Sequence, residues 1–293
     1  MRGIGTASGA ITFVNALPTG IGAAAAVTLA VEAEVELDLE GRHGSSAITI
    51  LPPSDTPLVR AAVAAGVERF AHGRSPSARV RVRSSIPSAC GLKSSSAVSG
   101  AVLAGVARAA GVPAEPATLA RMSADLSQKI GLSATGAFDD AYASLAGGAV
   151  ITDNAARAVL WSGEAPSGLT VLLWIPSSTH RPSTGWHERF RARAAEARPA
   201  VDAALGGDLL GAMELNTELV ESVLGYEYGD LRRRVAERGA IASGVSGLGP
   251  AVAVLVPPEC ADRVRAALAS GGGEIRAVDF RPRARTGATP EAS

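Results

Sequence analysis

A two-domain α+β architecture is predicted by three observations. First, residues 31–40 alternate without a break, with Val31, Ala33, Val35, Leu37 and Leu39 on one side and Glu32, Glu34, Glu36, Asp38 and Glu40 on the other. Period-two alternation of that length is a strand with one face in a core and one in water. Second, Ala-rich stretches of helical period fall between strand-like segments along the chain. Third, the sequence closes on a strand, helix and strand over 250–280, an ending suited to a sheet with helices on one face. The 293 residues are enough for two compact domains.

Taken in order, residues 7–14 predict a first strand, and the Gly/Pro-punctuated stretch from Asn15 to Gly22 a turn. The carboxylates of the alternating strand read as a solvated sheet face rather than a metal site, since such alternation is the ordinary antiparallel pattern. Residues 56–72 predict a helix, with Leu58, Ala62, Val63 and Val67 on a common side. Arg79, Arg81 and Arg83 alternate with Val80 and Val82, which predicts a strand on the same sheet facing the carboxylate strand. Helices follow over 96–110, stopped near Gly111 and Pro113, over 115–130 and over 139–146, where Gly147 and Gly148 end the last before a strand from Ala149 to Thr152. The pattern weakens between Asn154 and Gly168, and the domain boundary is placed there: an N-terminal domain over 1–160 and a C-terminal domain over 161–285. The second half reads as a strand from Leu169 to Ile175, helices near 185–205 and 207–224, a strand over 250–256, a helix over 259–269 and a strand over 274–280. Polar, Pro-containing sequence from about Arg281 predicts fraying, with a flexible tail over 286–293.

Composition excludes several classes of function. Aromatic residues make up 4% of the chain while Ala, Gly and Val dominate, so the core must close by tight approach of small side chains. Lys plus Arg and Asp plus Glu both total 28, a balance that supplies no field for steering onto nucleic acid or a membrane surface. The two cysteines, Cys90 and Cys260, lie far apart without a C-x-x-C partner. Neither a disulfide framework nor a zinc site is indicated, which suits a reducing cytoplasm. The longest apolar stretch, Ala23 to Val31, falls far short of a membrane span, and Asn15 and Pro18 break what would be a signal-peptide core. A soluble cytoplasmic protein is expected.

Chemistry is carried by three segments. In Pro87-Ser88-Ala89-Cys90-Gly91-Leu92-Lys93-Ser94-Ser95-Ser96-Ala97, proline stiffens the entry, glycine allows close backbone approach, and serines precede an Ala-rich helix. Open N–H groups and the dipole at a helix N-terminus favour an anion, and Lys93 with the three serine hydroxyls can add to that cradle or hold magnesium. The segment reads as a triphosphate grip, although no G-x-x-x-x-G-K-[S/T] occurs. Cys90 within it reads as a small apolar filler. The second segment is Thr135-Gly136-Ala137-Phe138-Asp139-Asp140-Ala141, with Gly147-Gly148 seven residues past Asp140. One carboxylate of such a pair can orient an alcohol and accept its proton in phosphoryl transfer; taken alone, the pair reads more readily as a helix cap with a solvated first-turn acid. The third is Ser243-Gly244-Val245-Ser246-Gly247-Leu248-Gly249-Pro250-Ala251, which by itself is a loop needing positive φ.

Together these segments resemble the galactokinase, homoserine kinase, mevalonate kinase and phosphomevalonate kinase superfamily, the GHMP kinases. Pro87 to Ala97 matches the family's P-x-x-x-G-L-x-S-S-A with one extra serine, Thr135 to Gly148 its catalytic aspartate region, and Gly244 to Ala251 its glycine motif. The wording G-L-K-S-S-S-A at Gly91 to Ala97 and T-G-A-F-D-D-A at Thr135 to Ala141, with the opening Ala7-Ser8-Gly9-Ala10 and Val14-Asn15-Ala16, is similar to the archaeal-type shikimate kinases. The resemblance covers about residues 5–280. It implies the GHMP kinase fold, an N-terminal α/β domain of the ribosomal-protein-S5-domain-2 type followed by a ferredoxin-like α+β domain. It also implies phosphorylation of the 3-hydroxyl of shikimate by ATP with magnesium, in a monomer or homodimer without nucleic-acid or membrane partners.

By the same resemblance, residues 87–97 wrap the phosphates with Gly244, Ser246 and Gly247 beside them. Ser96 is the magnesium hydroxyl, and Asn15, Thr135 and Gly136 lie at the substrate. Asp140 is the base by its distance to Gly147, with Asp139 as rival. One departure concerns the metal: the helix before the aspartates offers Asp125 and Gln128 where many members carry a glutamate. The site then relies on Ser96 and a water shell, or on Asp125.

Other readings compete. Gly20-Ile21-Gly22-Ala23-Ala24-Ala25 satisfies G-x-G-x-x-A with Glu40 twenty residues beyond Gly20, but the dinucleotide fingerprint needs a full helix where a strand already begins near Val27. Gly244-Val245-Ser246-Gly247 has Leu248 where a serine-hydrolase elbow needs glycine. His43, His72, His180 and His187 show no metal spacing; His180-Arg181, after a strand end, reads as an exposed turn. Homoserine or mevalonate as substrate, and a non-catalytic nucleotide sensor of the same fold, remain the alternatives. Shikimate carries a carboxylate that an Arg or Lys should bind, and the sequence does not single one out.

Overall fold

The computed structural model describes residues 1–38, 48–71, 76–177 and 185–284. Leu39, Glu40, His43, His72, His180, Arg181 and the expected tail over 286–293 lie outside the described residues. The first sheet is built on β1 (Arg2–Val14) and β2 (Ile21–Asp38), which pair antiparallel along most of their length. It is completed by β3 (Ile48–Ile50), β4 (Ser77–Ser84), β5 (Ala149–Asp153) and β6 (Ala158–Gly163), in the order β3-β4-β2-β5-β6 with β1 also on β2. The expected charge pairing is observed: Glu32 faces Arg83, Glu34 faces Arg81 and Glu36 faces Arg79 across β2 and β4. Three opposite-charge cross-strand pairs on one face fix the register, because a one-residue slip would set glutamate against valine.

Helix α1 (Pro57–Phe70) is capped by Thr56, whose hydroxyl accepts from the Val59 N–H. Helices α2 (Ser94–Ala109), α3 (Pro116–Lys129) and α4 (Phe138–Ala146) complete the first half. α2 lies directly on the sheet. A Cβ at Gly5 would overlap the Ala101 carbonyl and Gly105 N–H, so the strand and helix backbones touch there without side chains between them. That contact is how a chain with few aromatics closes its core.

The second sheet contains β7 (Thr170–Ile175), β8 (Ala242–Val245), β9 (Val252–Val256) and β10 (Glu274–Val278), in the order β10-β7-β9-β8, all antiparallel. Its helices are α5 (Trp186–Ala192), α6 (Ala194–Leu205), α7 (Leu209–Leu224), α8 (Gly229–Glu237) and α9 (Ala261–Ala269). Helices were expected on one face, and the structure corrects this. Val171, Leu173, Ala253 and Leu255 join the main core with most of α6 and the start of α7, while Leu172, Trp174, Val252 and Val254 cluster with Phe190 of α5, Ala197 of α6, the rest of α7, α8 and α9. The physical reason lies in β7 and β9, which are unbroken apolar runs rather than alternating ones and so require cover on both sides.

Other differences are local. The helix expected over 185–205 breaks at Arg193, where φ is −108° and ψ 26°. Strands β3, β6 and β8 and helix α8 are additional elements. The expected cut at residue 160 falls within β6, which pairs with β5 in the first sheet. Residues 281–284 are not frayed. Phe280 bridges Val27, the Arg281 N–H donates to the Ala26 carbonyl at 2.9 Å, and the Ala284 N–H donates to the Ala146 carbonyl at 2.7 Å. The chain thus returns as a strap across the first sheet and the end of α4. Among the described residues no helix is long and apolar enough to cross a membrane.

Candidate active site

The serine loop forms its cradle through the backbone. Ala89, Gly91 and Lys93 take φ values of 59°, 88° and 65°, left-handed backbone of the kind that recurs where N–H groups gather around an anion. Lys93 is the last residue before α2, and among the described residues no side chain caps that helix. Its first-turn N–H groups therefore stay open to an anion. Cys90 is buried beneath the loop and its thiol donates to the Pro87 carbonyl at 3.3 Å.

The third segment is the floor of this cradle. The Ser246 hydroxyl donates to the Gly91 carbonyl at 2.8 Å, and the Ala251 N–H donates to the Cys90 carbonyl at 3.1 Å. A Cβ at Gly91 would collide with the Ser246 carbonyl oxygen, so only glycine lets the two segments meet. The Gly247 N–H donates to the Thr12 hydroxyl at 2.9 Å, and Asn15 Nδ2 donates to the Gly247 carbonyl at 3.1 Å. Asn15 Oδ1 accepts from the Leu17 N–H, so this side chain braces the floor. Gly244 sits in β8 against Met213 and Thr217 of α7.

The adjacent aspartates at the start of α4 have different surroundings. Asp139 is buried; its Oδ1 accepts from Asn154 Nδ2 at 2.9 Å while its N–H donates to Asn154 Oδ1 at 2.9 Å. Gly22 leaves room for its second oxygen, where a Cβ would overlap. Asp140 points instead at Lys93, whose Nζ lies 3.1 Å from Oδ1 as an ion pair rather than an aligned hydrogen bond. Both side chains are largely enclosed, 8% exposed for Lys93 and 15% for Asp140. Burial, together with the neighbouring Asp139 carboxylate, pushes the Asp140 carboxyl up from 3.8 to about 7, with Lys93 opposing the rise.

These groups share a cleft of about 250 Å³. The serine loop contributes Pro87, Ala89, Gly91, Leu92, Lys93 and Ser94 to Ser96 to its wall, and Asn15, Thr135, Asp139, Asp140 and Gly247 add to it. Of the expected residues, Ser88, Cys90, Ala97, Gly136, Gly244 and Ser246 are not on this wall. Gly136 is required for a different reason: its φ is 81°, and a Cβ there would lie 2.9 Å from the Ala124 carbonyl oxygen as well as against the Arg157 guanidinium. Arg157 draws the aspartate loop against α3. Its guanidinium donates to the Thr135 carbonyl at 2.7 Å and to the Asn154 carbonyl, pairs with Asp125 at 3.1 Å and donates to Gln128 Oε1 at 2.7 Å. Asp125 is thereby engaged away from the cleft wall. Sequence reasoning missed Arg157, Asn154, Trp186 and His187, the last two on the cleft wall from α5; no spacing rule links any of them to the three motifs.

Comparisons with known proteins give the chain its family. The family described as GHMP kinases N terminal domain matches residues 57–148. The chain is 35% identical over 279 residues to a shikimate kinase of Methanosarcina acetivorans, covering 95% of this chain and 93% of that one. It is 36% identical over 283 residues to a shikimate kinase of Methanothrix thermoacetophila, covering 94% and 92%. A homoserine kinase structure from Cytophaga hutchinsonii superposes with a TM-score of 0.73 at 17% identity, covering 96% of each chain. The Methanococcus jannaschii mevalonate kinase gives 0.71 at 14%, covering 96% and 98%. The solved structures establish the fold, and the sequence relatives establish descent. The chain belongs to the GHMP kinases, in the group of the archaeal shikimate kinases.

Proposed function

We propose that this enzyme transfers the γ-phosphoryl group of ATP to the 3-hydroxyl of shikimate, giving shikimate 3-phosphate and ADP. The observation that carries phosphoryl transfer is the buried Asp140 carboxylate, at about 7 and 3.1 Å from Lys93, in one cleft with the uncapped N-terminus of α2. A carboxylate near neutrality accepts a hydroxyl proton while remaining ionised often enough to act. Asp140 takes the proton of the 3-hydroxyl as that oxygen bonds to the γ-phosphorus, and ADP leaves with the electron pair of the broken bond. The α2 N–H groups and the Lys93 ammonium supply fixed positive charge where negative charge gathers. Sequence identity to shikimate kinases supports the choice of alcohol.

The residues present suit magnesium bound with the nucleotide. Among the described residues no group of three or more His, Cys, Asp or Glu could hold a metal by itself, and magnesium commonly keeps its waters and binds through substrate phosphates with few protein ligands. Ser96 is the residue that would hold it, a hydroxyl on the cleft wall without a side-chain hydrogen bond to a described residue. When bound, the ion neutralises phosphate charge. A coupled ADP-release assay with shikimate, homoserine and mevalonate in parallel tests the reading: turnover of shikimate is expected, and its absence overturns the proposal.

A further inference from the structure

Helix α5 presents two residues, one turn apart, to two adjoining cavities. His187 lines the phosphoryl-transfer cleft, and Arg191 lines a second cavity of about 410 Å³. The two cavities share Ala16, Leu17, Ala134 and Thr135 as a common wall. Positions i and i+4 of a helix lie on one face, so a single ligand spanning the common wall meets both side chains.

The charges in this neighbourhood narrow the choice of ligand. Lys93 is paired with Asp140, and Arg157 is spent on Asp125, Gln128 and two carbonyls. Arg191 is exposed and makes no ion pair with a described residue, Glu188 on its own helix included. Burial and the Arg191 cation push the His187 imidazole down from its ordinary value, against a smaller opposing effect of Glu188, and its Nδ1 is buried without a hydrogen-bond partner. This end of the site therefore offers an available guanidinium beside a neutral imidazole, while the other end holds the phosphoryl-transfer machinery.

We propose that Arg191 grips the substrate carboxylate, in a subsite formed where the second cavity joins the cleft. The inference rests on the shikimate reading and extends it. The carboxylate and the reacting hydroxyl of shikimate stand on ring carbons separated by one carbon, so the ring would lie along the common wall with its acid toward α5 and its 3-hydroxyl toward Asp140. Arg suits the task because its planar fork matches a carboxylate with two parallel hydrogen bonds.

Steady-state kinetics on shikimate and its neutral methyl ester, for the unsubstituted enzyme, Arg191→Ala and Arg191→Lys, test the assignment. Arg191→Ala is expected to raise the KM for shikimate about 10- to 100-fold, the cost of losing a charged hydrogen bond, while the KM for ATP stays unchanged. The preference for acid over ester in kcat/KM should collapse by the same factor, and Arg191→Lys should recover part of it. An unchanged acid-over-ester ratio in Arg191→Ala, or equal losses on both compounds, overturns the assignment and leaves the shikimate reading standing. No shikimate turnover by the unsubstituted enzyme overturns that reading and the assignment with it.

Discussion

Asp139 commits its carboxylate to Asn154 in a reciprocal pair, whereas Asp140 keeps an enclosed oxygen facing Lys93. Substitution should separate the two. Asp140→Asn is expected to lower kcat by about 10²- to 10⁴-fold, the range of general-base contributions, without lowering the thermal transition. Asp139→Asn should instead lower the melting temperature, because it sets an amide against the Asn154 amide at a buried site. Wild-type turnover by Asp140→Asn would remove it as the base. The pH dependence follows from the same residue. Its carboxyl is raised from 3.8 to about 7, so kcat/KM, which reports the unliganded enzyme, should climb through an acid limb near 7. Lys93 opposes the rise, so Lys93→Ala should move that limb upward.

Linkage gives the sign for stability. The folded state holds a proton that the unfolded chain releases at lower pH, so stability falls as pH rises from about 4 to about 7, and Asp140→Asn should flatten that slope. The sequence named Asp140 as the base and Asp139 as its rival by spacing alone, without the surroundings that separate the two. Those depend on Asn154, which lies beyond α4 and belongs to no motif. Arg191 was equally hidden, since its significance comes from which other cations are already engaged.

At the scale of elements, close approach of backbones does what bulky side chains do elsewhere. α2 rests on β1 through Gly5, where any Cβ would overlap the helix backbone. Gly5→Ala should cost about 1–3 kcal/mol by overpacking, measured by urea unfolding, and should also displace the helix whose N-terminus forms the cradle. A variant as stable as the parent would contradict that packing. Elements with a clean period were legible: β2 and β4 declared their partnership through alternating carboxylates and guanidiniums. α8 was not, because Gly229–Glu237 buries only Leu231 and Val235 and is otherwise polar. The cover on both faces of β7 and β9 was written in their unbroken apolar runs, although a run of that kind does not say which helices supply the cover.

Across the whole molecule, the first sheet is completed by segments from distant parts of the chain. The strap at 280–284 pairs with Val27 and Ala26 and ties the Gly147-Gly148 turn, through a bond from the Gly148 N–H to the Arg281 carbonyl at 2.9 Å. The Arg281 guanidinium also donates to the Ser144 carbonyl of α4 at 2.9 Å. Truncation after Asp279 should therefore lower both the melting temperature and kcat, since it loosens the far end of the helix that carries Asp140; unchanged values for both would show that the strap merely decorates the surface. Composition read this region as a loose end, because its polar residues carry no periodic pattern that tells a bonded arginine such as Arg281 or Arg283 from a solvated one.

The bond from Ser246 to the Gly91 carbonyl joins residues 155 positions apart. A nascent chain that has emerged only as far as β7 already carries the whole serine loop and both aspartates, yet has nothing beneath them. Nucleotide affinity should then arrive late in synthesis and all at once, when residues 243–251 clear the ribosome and slide under the loop. Contacts of such long sequence separation also form slowly, which makes ATP a reporter of completed folding in this enzyme rather than a template for it.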